Sequence, residues 1–498
     1  MISYQPTQER LTRYNVLVIC AIGLGSLSFG YAGAVIGTLL GQPSFQTYFD
    51  LATRPHATQL QSSMNGVFQA GAFCGTLAQP WIADKWGRRW ALAVPAALIF
   101  VAGAIMAGST HIAEFIVFRF VSGAGAYMLA AGPPLLMSEL VPSHYRGSLV
   151  ELHAIFFEGG YIISSWVGFG SFFWKNNVNT WRLSVGLQCL GPVLLVIALI
   201  FIPESPRWLI MQDRMEEAGK ILEKIHPNNE AGREQAAAQL QHIHIQADLD
   251  RHLGSSWGAI LAKPAYRKRF MLGIATTGII QFSGVLVIST YGTVIYDLLA
   301  YDSERQLLFQ ALFLTVGGTV MIAAPFVVDR VPRNRLMGVG MVGCAVVLSI
   351  LAAIIANFAS TGTNSAALKA GLSMIFLYQP FFVIGLDGTQ YVYLGEIFPN
   401  HLRAKGVCSG TAMIALVNIL WLQLAETALE TIGWKYFLVF IIPSFLGGIC
   451  IWQFWPDTRN MPLEEISALF GDVAEVAINP NMLEEKDAHG AGVQVEQM

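Results

Sequence analysis

Charge is what this chain has least of. Only 13% of its 498 residues are Asp, Glu, Lys or Arg, against roughly 25% in an ordinary soluble domain. Hydrophobic residues make up 54%, and the mean hydropathy is +0.50, which excludes a soluble globular protein. No Asn-x-Ser/Thr sequon occurs. The six cysteines (Cys20, Cys74, Cys189, Cys344, Cys408 and Cys450) lie in or beside apolar runs and lack metal-ligand spacing, which argues against a disulfide framework and a metal site. There is no basic patch interleaved with aromatics to suggest nucleic acid, and the net charge of −3 says little about partners. No nucleophile elbow or phosphate-binding glycine loop points to an enzyme, and no cofactor is implied. Nor does a basic, apolar, small-residue leader precede the first apolar run, so a cleaved signal peptide is not expected.

What is there is a series of apolar stretches, each long enough to cross a bilayer at roughly 20 residues. They fall near 14–40, 60–83, 90–110, 113–140, 149–173, 181–202, 269–298, 306–328, 335–357, 369–397, 406–428 and 434–455. Twelve spans place both termini on one side. That side collects 23 of the 30 Lys and Arg, and basic residues stay cytoplasmic. The expected class is therefore an all-α integral membrane protein, with a cytoplasmic N-terminus (1–13), a six-helix half (14–202), a polar segment (203–268), a second six-helix half (269–455) and a cytoplasmic tail (456–498). In the polar segment, "RMEEAGKILEKIH" (214–226) puts Met215, Ala218, Ile221, Leu222 and Ile225 at helical spacing, which predicts short amphipathic helices under the bundles. The composition beyond about residue 475 predicts a disordered tail.

Three cytoplasmic motifs recur in the same order. "DKWGRR" (84–89) returns as "DRVPRN" (329–334), "SELVPSHYRG" (138–147) as "GEIFPNHLRAKG" (395–406), and "PESPR" (203–207) as "PDTRN" (456–460), at offsets of 245, 257 and 253 residues. That is the pattern of a transporter built from two parallel repeats. With "FGYAGAVIG" (29–37), "RFVSGAGA" (119–126), "WRLSVGLQ" (181–188), "QFSGV" (281–285) and "PDTRNMPLEE" (456–465), nearly the whole chain resembles the sugar porter family of the major facilitator superfamily, in its fungal form. The resemblance implies two six-helix bundles around a central cavity, alternating access, a sugar or sugar-like solute as partner beside the lipid bilayer, and a multi-pass protein of the plasma membrane.

The motif charges Asp84, Arg88, Arg89, Glu139 and Arg146 in one half, and Asp329, Arg330, Arg333, Glu396 and Arg403 in the other, fall at cytoplasmic helix ends. There carboxylates and guanidinium groups can pair across the bundles and hold an inner gate shut. Solvated loop charges that only set topology are the plainer reading, but Glu139 and Glu396 sit at apolar helix ends where an unpaired carboxylate is costly.

In the cavity the chain departs from the family. The resemblance carries over Gln281, Ser283, Tyr291 and Asn418 as substrate-binding residues, with Tyr391 standing where the family has Trp. Ile280, Leu286 and Ala154 replace amides expected of a hexose site. Acids appear instead: Glu158 lies four residues after Ala154 and Asp387 four before Tyr391, so each shares its neighbour's helix face. Intramembrane acids are functional by default, although a structural hydrogen bond to a neighbouring helix would also explain them. Glu426, where the family usually has Pro, falls near an outer helix end, where contact with water would explain it.

Proton-coupled members carry an Asp at the place of Ala32, paired with an Arg at the place of Arg119. Here the Arg remains without its acid. A guanidinium cannot shed its proton in a protein, so Arg119 must find carbonyls, water or another carboxylate. Arg119 and Glu158 lie at estimated depths of ~9 and ~22 Å from the outer ends of their spans, at 1.5 Å per residue, too far apart for direct pairing. Either the chain is a facilitator, or another acid does the work: Glu158, with Arg119, is the candidate for proton coupling, while Glu158 and Asp387 are equally candidates for binding the solute. A carrier of a polyol, a quinate-like acid or a specialised metabolite, and a non-transporting sugar sensor, are the rival functions.

Overall fold

The computed structural model describes residues 12–51, 54, 56–140, 146–174, 178–227, 229–252, 257–328, 330–359, 364–459, 461, 466 and 469–470. Among them the regular structure is entirely helical. The spans are Arg13–Leu40, Ala57–Trp86, Trp90–Gly108, Ile112–Leu140, Arg146–Phe172 and Trp181–Leu199 in the first half. In the second they are Pro264–Leu298 (three pieces), Ser303–Val328, Arg333–Phe358, Ala366–Ile397, Asn400–Ile432 and Leu438–Phe454. Among the described residues, eight stretches are long and apolar enough to cross a membrane by composition alone, and the last of these, Leu402–Phe454, contains most of the eleventh and all of the twelfth span. The second and fifth spans are missing from that set because polar residues lower their hydropathy, and the seventh because it is broken into pieces and begins with Arg267, Lys268 and Arg269.

The repeat seen in the sequence is a repeat of packing. The first span packs on the fifth, the second on the fourth and the third on the sixth; the seventh packs on the eleventh, the eighth on the tenth and the ninth on the twelfth. Small residues allow this approach. A Cβ at Gly71 would lie 1.9 Å from the Phe120 carbonyl oxygen, and one at Gly30 the same distance from that of Phe157. Between the halves, the second span runs along the eleventh, the fifth along the eighth, and the first along the outer part of the seventh.

Two breaks shape the interior. The seventh span stops at Gln281 and restarts at Val285 through Gly284, whose φ of 79° suits glycine. The tenth passes from an α-helix ending at Phe382, just after Pro380, into a π-helical turn, Val383–Asp387. Such turns concentrate at functional sites, and this one presents Asp387.

Below the bundles lie the helices Pro206–Met211, Met215–Ile225, Glu230–His252 and Trp257–Ala262. As the apolar spacing predicts, Ala218, Leu222 and Ile225 are buried, while Met215 and Ile221 pack against the cluster of Trp208, Leu209, Ile210, Ala218 and Ala247. Asn15 of the first span ties this layer down by donating to the Ile225 carbonyl at 3.1 Å. The predicted disordered tail beyond residue 475, the first eleven residues and Asp329 lie outside the described residues.

Candidate functional site

At mid-membrane the two halves together line a central cavity, the usual place for a transporter's solute site. Of the residues expected there, Glu158, Asp387, Gln281, Tyr391 and Arg119 line it. Glu158 is 14 residues from the outer end of the fifth span, about 21 Å at 1.5 Å per residue, and only 8% exposed. Asp387 faces it from the other half, close enough for the two carboxyls to act on each other electrostatically. Gln390 stands beside Asp387.

Arg119 resolves its missing acid locally. It donates from Nη1 to the carbonyl of Ala32 at 3.2 Å and from Nε to that of Met64 at 3.4 Å, and its guanidinium carbon lies 4.1 Å from the centroid of Phe68. The backbone of the very residue that replaces the family's Asp thus supplies part of the neutralisation. The cation–π contact with Phe68 supplies more.

Three expected residues stand behind the wall. Asn418 donates to Gln281 Oε1 at 3.0 Å and to the Ile414 carbonyl at 2.8 Å, so both its donors are spent and its effect on the cavity is to orient Gln281. Tyr291 is fully buried, donating to the Leu422 carbonyl at 2.9 Å and accepting from Asn65 at 3.0 Å. Ser283 sits in the helix break, its carbonyl accepting from Tyr378 at 3.0 Å.

The cavity also holds residues the sequence reading passed over. Gln69, Gln379 and Gln390 restore an amide count close to what a polyol needs, and Tyr127, Tyr161 and His153 add hydroxyl and imidazole groups. Gln69 lies beside Tyr127, and His153 Nδ1 is 2.6 Å from Ser26 Oγ. Spacing carried a usable signal for some of them. Asn65 and Gln69 are four apart on the second span, and Tyr161 is three beyond Glu158 on the fifth, so each falls on a cavity-facing helix face.

The cytoplasmic motif charges pair differently from expectation. Arg88 grips Glu139 with two parallel bonds, Nε to Oε2 at 3.0 Å and Nη2 to Oε1 at 3.1 Å, and reaches Asp84 Oδ1 at 3.2 Å and the Ala83 carbonyl at 2.8 Å. Burial works against its charge, but Glu139 and Asp84 outweigh burial and the guanidinium holds its proton more firmly than usual. Glu204, of the third repeated motif, accepts from the backbone N–H of Arg88 at 2.9 Å and of Arg89 at 3.2 Å. Burial pushes its carboxyl up, and those N–H groups hold it back. Arg89 donates to the Leu199 carbonyl at 2.6 Å.

In the second half the arrangement repeats. Arg333 pairs with Glu396 at 3.2 Å, its backbone N–H reaches Asp457 at 3.0 Å, and Arg459 donates to the Arg330 carbonyl at 2.7 Å. Both buried ion pairs therefore close within one half and not across the bundles, because the loop after the second span and the end of the fourth are neighbours in the same bundle. Arg403 is half-buried at the start of the eleventh span, and the Arg146 side chain and Asp329 lie outside the described residues.

A family model described as "Sugar (and other) transporter" matches residues 17–470. The chain belongs to this family. It is a multi-pass membrane transporter, and its fold is that of the major facilitator superfamily. It is 26% identical over 477 residues to the MFS-type transporter criB of Aspergillus cristatus, covering 95% of this chain and 97% of that one. It is also 26% identical over 476 residues to a high-affinity glucose transporter of Kluyveromyces lactis, covering 92% and 86%. Among solved structures, the proton:xylose symporter XylE bound to 6-bromo-6-deoxy-D-glucose superimposes with a TM-score of 0.76 at 23% identity, over 92% of this chain and 99% of that one; at that identity it shows the fold.

Proposed function

We propose that the protein carries a neutral sugar or sugar-like solute across the plasma membrane by alternating access, and that Glu158 couples this to protons. In this reading residues 14–202 and 269–455 are two moving halves, 203–268 is the cytoplasmic link, and 1–13 and 456–498 are cytoplasmic extensions. The observation that carries the solute class is the lining of the cavity. A polyol needs many two-way hydrogen bonds and one flat apolar contact. The amides of Gln281, Gln69, Gln379 and Gln390 supply the first, and the aromatic wall of Phe29, Phe157 and Tyr161, packed edge to face, supplies the second.

Charge speaks against one rival. Two facing carboxyls, with Arg119 committed to carbonyls and Phe68, disfavour a quinate-like anion, since like charges at close quarters are costly. Uptake of radiolabelled hexoses, pentoses, polyols and organic acids in a transport-null host tests the proposal: a neutral polyhydroxy compound is the expected substrate. Uptake of acids alone would overturn it, and binding without uptake of any would indicate a sensor.

Gln281→Ala is expected to raise the half-saturation constant by about 2- to 12-fold, the equivalent of one net hydrogen bond of roughly 0.5–1.5 kcal/mol. Asn418→Ala should give a smaller increase, because it frees Gln281 without removing it. Unchanged transport kinetics in both variants would remove this amide pair from the site.

A further inference from the structure

The outer seam between the halves holds an acid that the cavity does not use. Glu426 sits six residues inside the outer end of the eleventh span, turned towards the second span and only 6% exposed. Polar groups stitch the seam above and below it. On the outer side Thr58 Oγ1 lies 3.0 Å from both carboxylate oxygens of Glu430. On the inner side Asn65 donates to Tyr291, Tyr291 to the Leu422 carbonyl, and Gln423 to Ser63 at 3.4 Å.

Glu426 is the unfinished rung of this ladder. The Ser62 hydroxyl lies beside both Glu426 and Tyr291, yet neither Ser62 Oγ nor Glu426 Oε2 completes a hydrogen bond. The ionisable groups facing Glu426 are Glu430, one turn away on its own helix, and Tyr291 from the seventh span; the second span offers the neutral Ser62. Among the described residues no cation lies within ion-pair distance of it. An ionised Glu426 would be a buried, unpaired charge beside a like charge at i+4, unfavourable on both counts. A protonated one leaves only a hydrogen bond unmade.

We infer that Glu426 is a proton-binding residue of the outer gate: protonated, it allows the closed seam seen here, and ionised, it drives the seam open to water. The proton is taken from the outer solution, so closure of the outer gate becomes linked to external pH separately from any role of Glu158. This rests on the alternating-access reading, and its test needs no substrate. Ser289 lines the cavity on the outer part of the seventh span. Labelling of Ser289→Cys from outside with a membrane-impermeant thiol reagent, corrected for the same protein without that substitution, reports opening of the gate.

Rates are compared at each pH with those of Ser289→Cys/Glu426→Gln, which cancels the thiol's own pH response. The expected result is equal labelling in acid and, in alkali, labelling roughly tenfold or more faster with Glu426 than with Gln, as fits relief of a buried unpaired charge. A ratio independent of pH would overturn the inference while leaving alternating access standing. No labelling at any pH in either protein would overturn both. Should Glu426→Gln fail to reach the membrane, Glu430→Gln serves instead: it removes the like charge that opposes ionisation and should move the labelling profile towards acid, and an unmoved profile would reject the proposal.

Discussion

Glu158→Gln is expected to abolish uphill accumulation of substrate while leaving exchange across the membrane. The carboxyl stands at mid-membrane with Asp387 opposite from the other half, and Arg119 is occupied by the Ala32 and Met64 carbonyls and the face of Phe68. Two facing carboxyls in a low-dielectric cavity are not both ionised at little cost, so one proton bound between them relieves their repulsion. Its release on the far side restores that repulsion. Loading and unloading can thus be tied to the approach and separation of the halves, which is what coupling requires.

Gln keeps the shape and the hydrogen-bonding reach of Glu158 but cannot ionise. A coupled carrier should therefore lose substrate-induced alkalinisation of the medium and all accumulation above equilibrium, and keep isotope exchange within a few-fold of the parent. A facilitator that uses Glu158 only as an acceptor would never accumulate substrate, even unmutated, and would change in affinity instead. Accumulation surviving intact in the Gln variant would sink the proton-site proposal. Asp387→Asn is the companion measurement. If the proton is shared, it too should uncouple transport, whereas loss of affinity alone would make Asp387 a substrate ligand.

Much of the fold was legible because a bilayer leaves few alternatives: a backbone in hydrocarbon must satisfy its own hydrogen bonds, so length and apolarity located the helices to within a few residues. Glu158, Asp387 and Gln281 were legible for a related reason, as polar side chains in apolar helices that demand an explanation. Tyr291 and Asn418 were misplaced because helical periodicity gives the face a side chain leaves from and not what it meets there. A neighbouring carbonyl at 2.9 Å leaves no trace in the sequence. The same gap hid Glu426, whose nearness to a helix end suggested contact with water until its packing against the second span made it a buried acid. The partner of Arg88 was ambiguous for a third reason. Two repeats supply near-identical motifs, and sequence alone does not say whether each pairs within its own half or with its counterpart.

That ambiguity gives the last prediction its form. The side chains of Arg88 and Glu139 are only 8% and 9% exposed, so Arg88→Ala leaves Glu139 buried without its cation and should cost about 3–5 kcal/mol of stability in the first half. This would be read as a large drop in the thermal unfolding midpoint of purified protein. Replacing both residues, as Arg88→Met with Glu139→Leu, removes the stranded charge together with its partner and should recover most of the loss, because a buried ion pair is often close to neutral against apolar groups of similar size. Arg333→Ala should cost less: Glu396 is 26% exposed and keeps a 2.6 Å hydrogen bond from Thr458. Since both pairs close within a half, these losses should appear without redistribution between outward- and inward-open states. If Arg88→Ala instead increased cysteine labelling from the cytoplasmic side with an unchanged unfolding midpoint, the pair would have to act across the bundles as a gate, and the within-half reading of these motifs would fail.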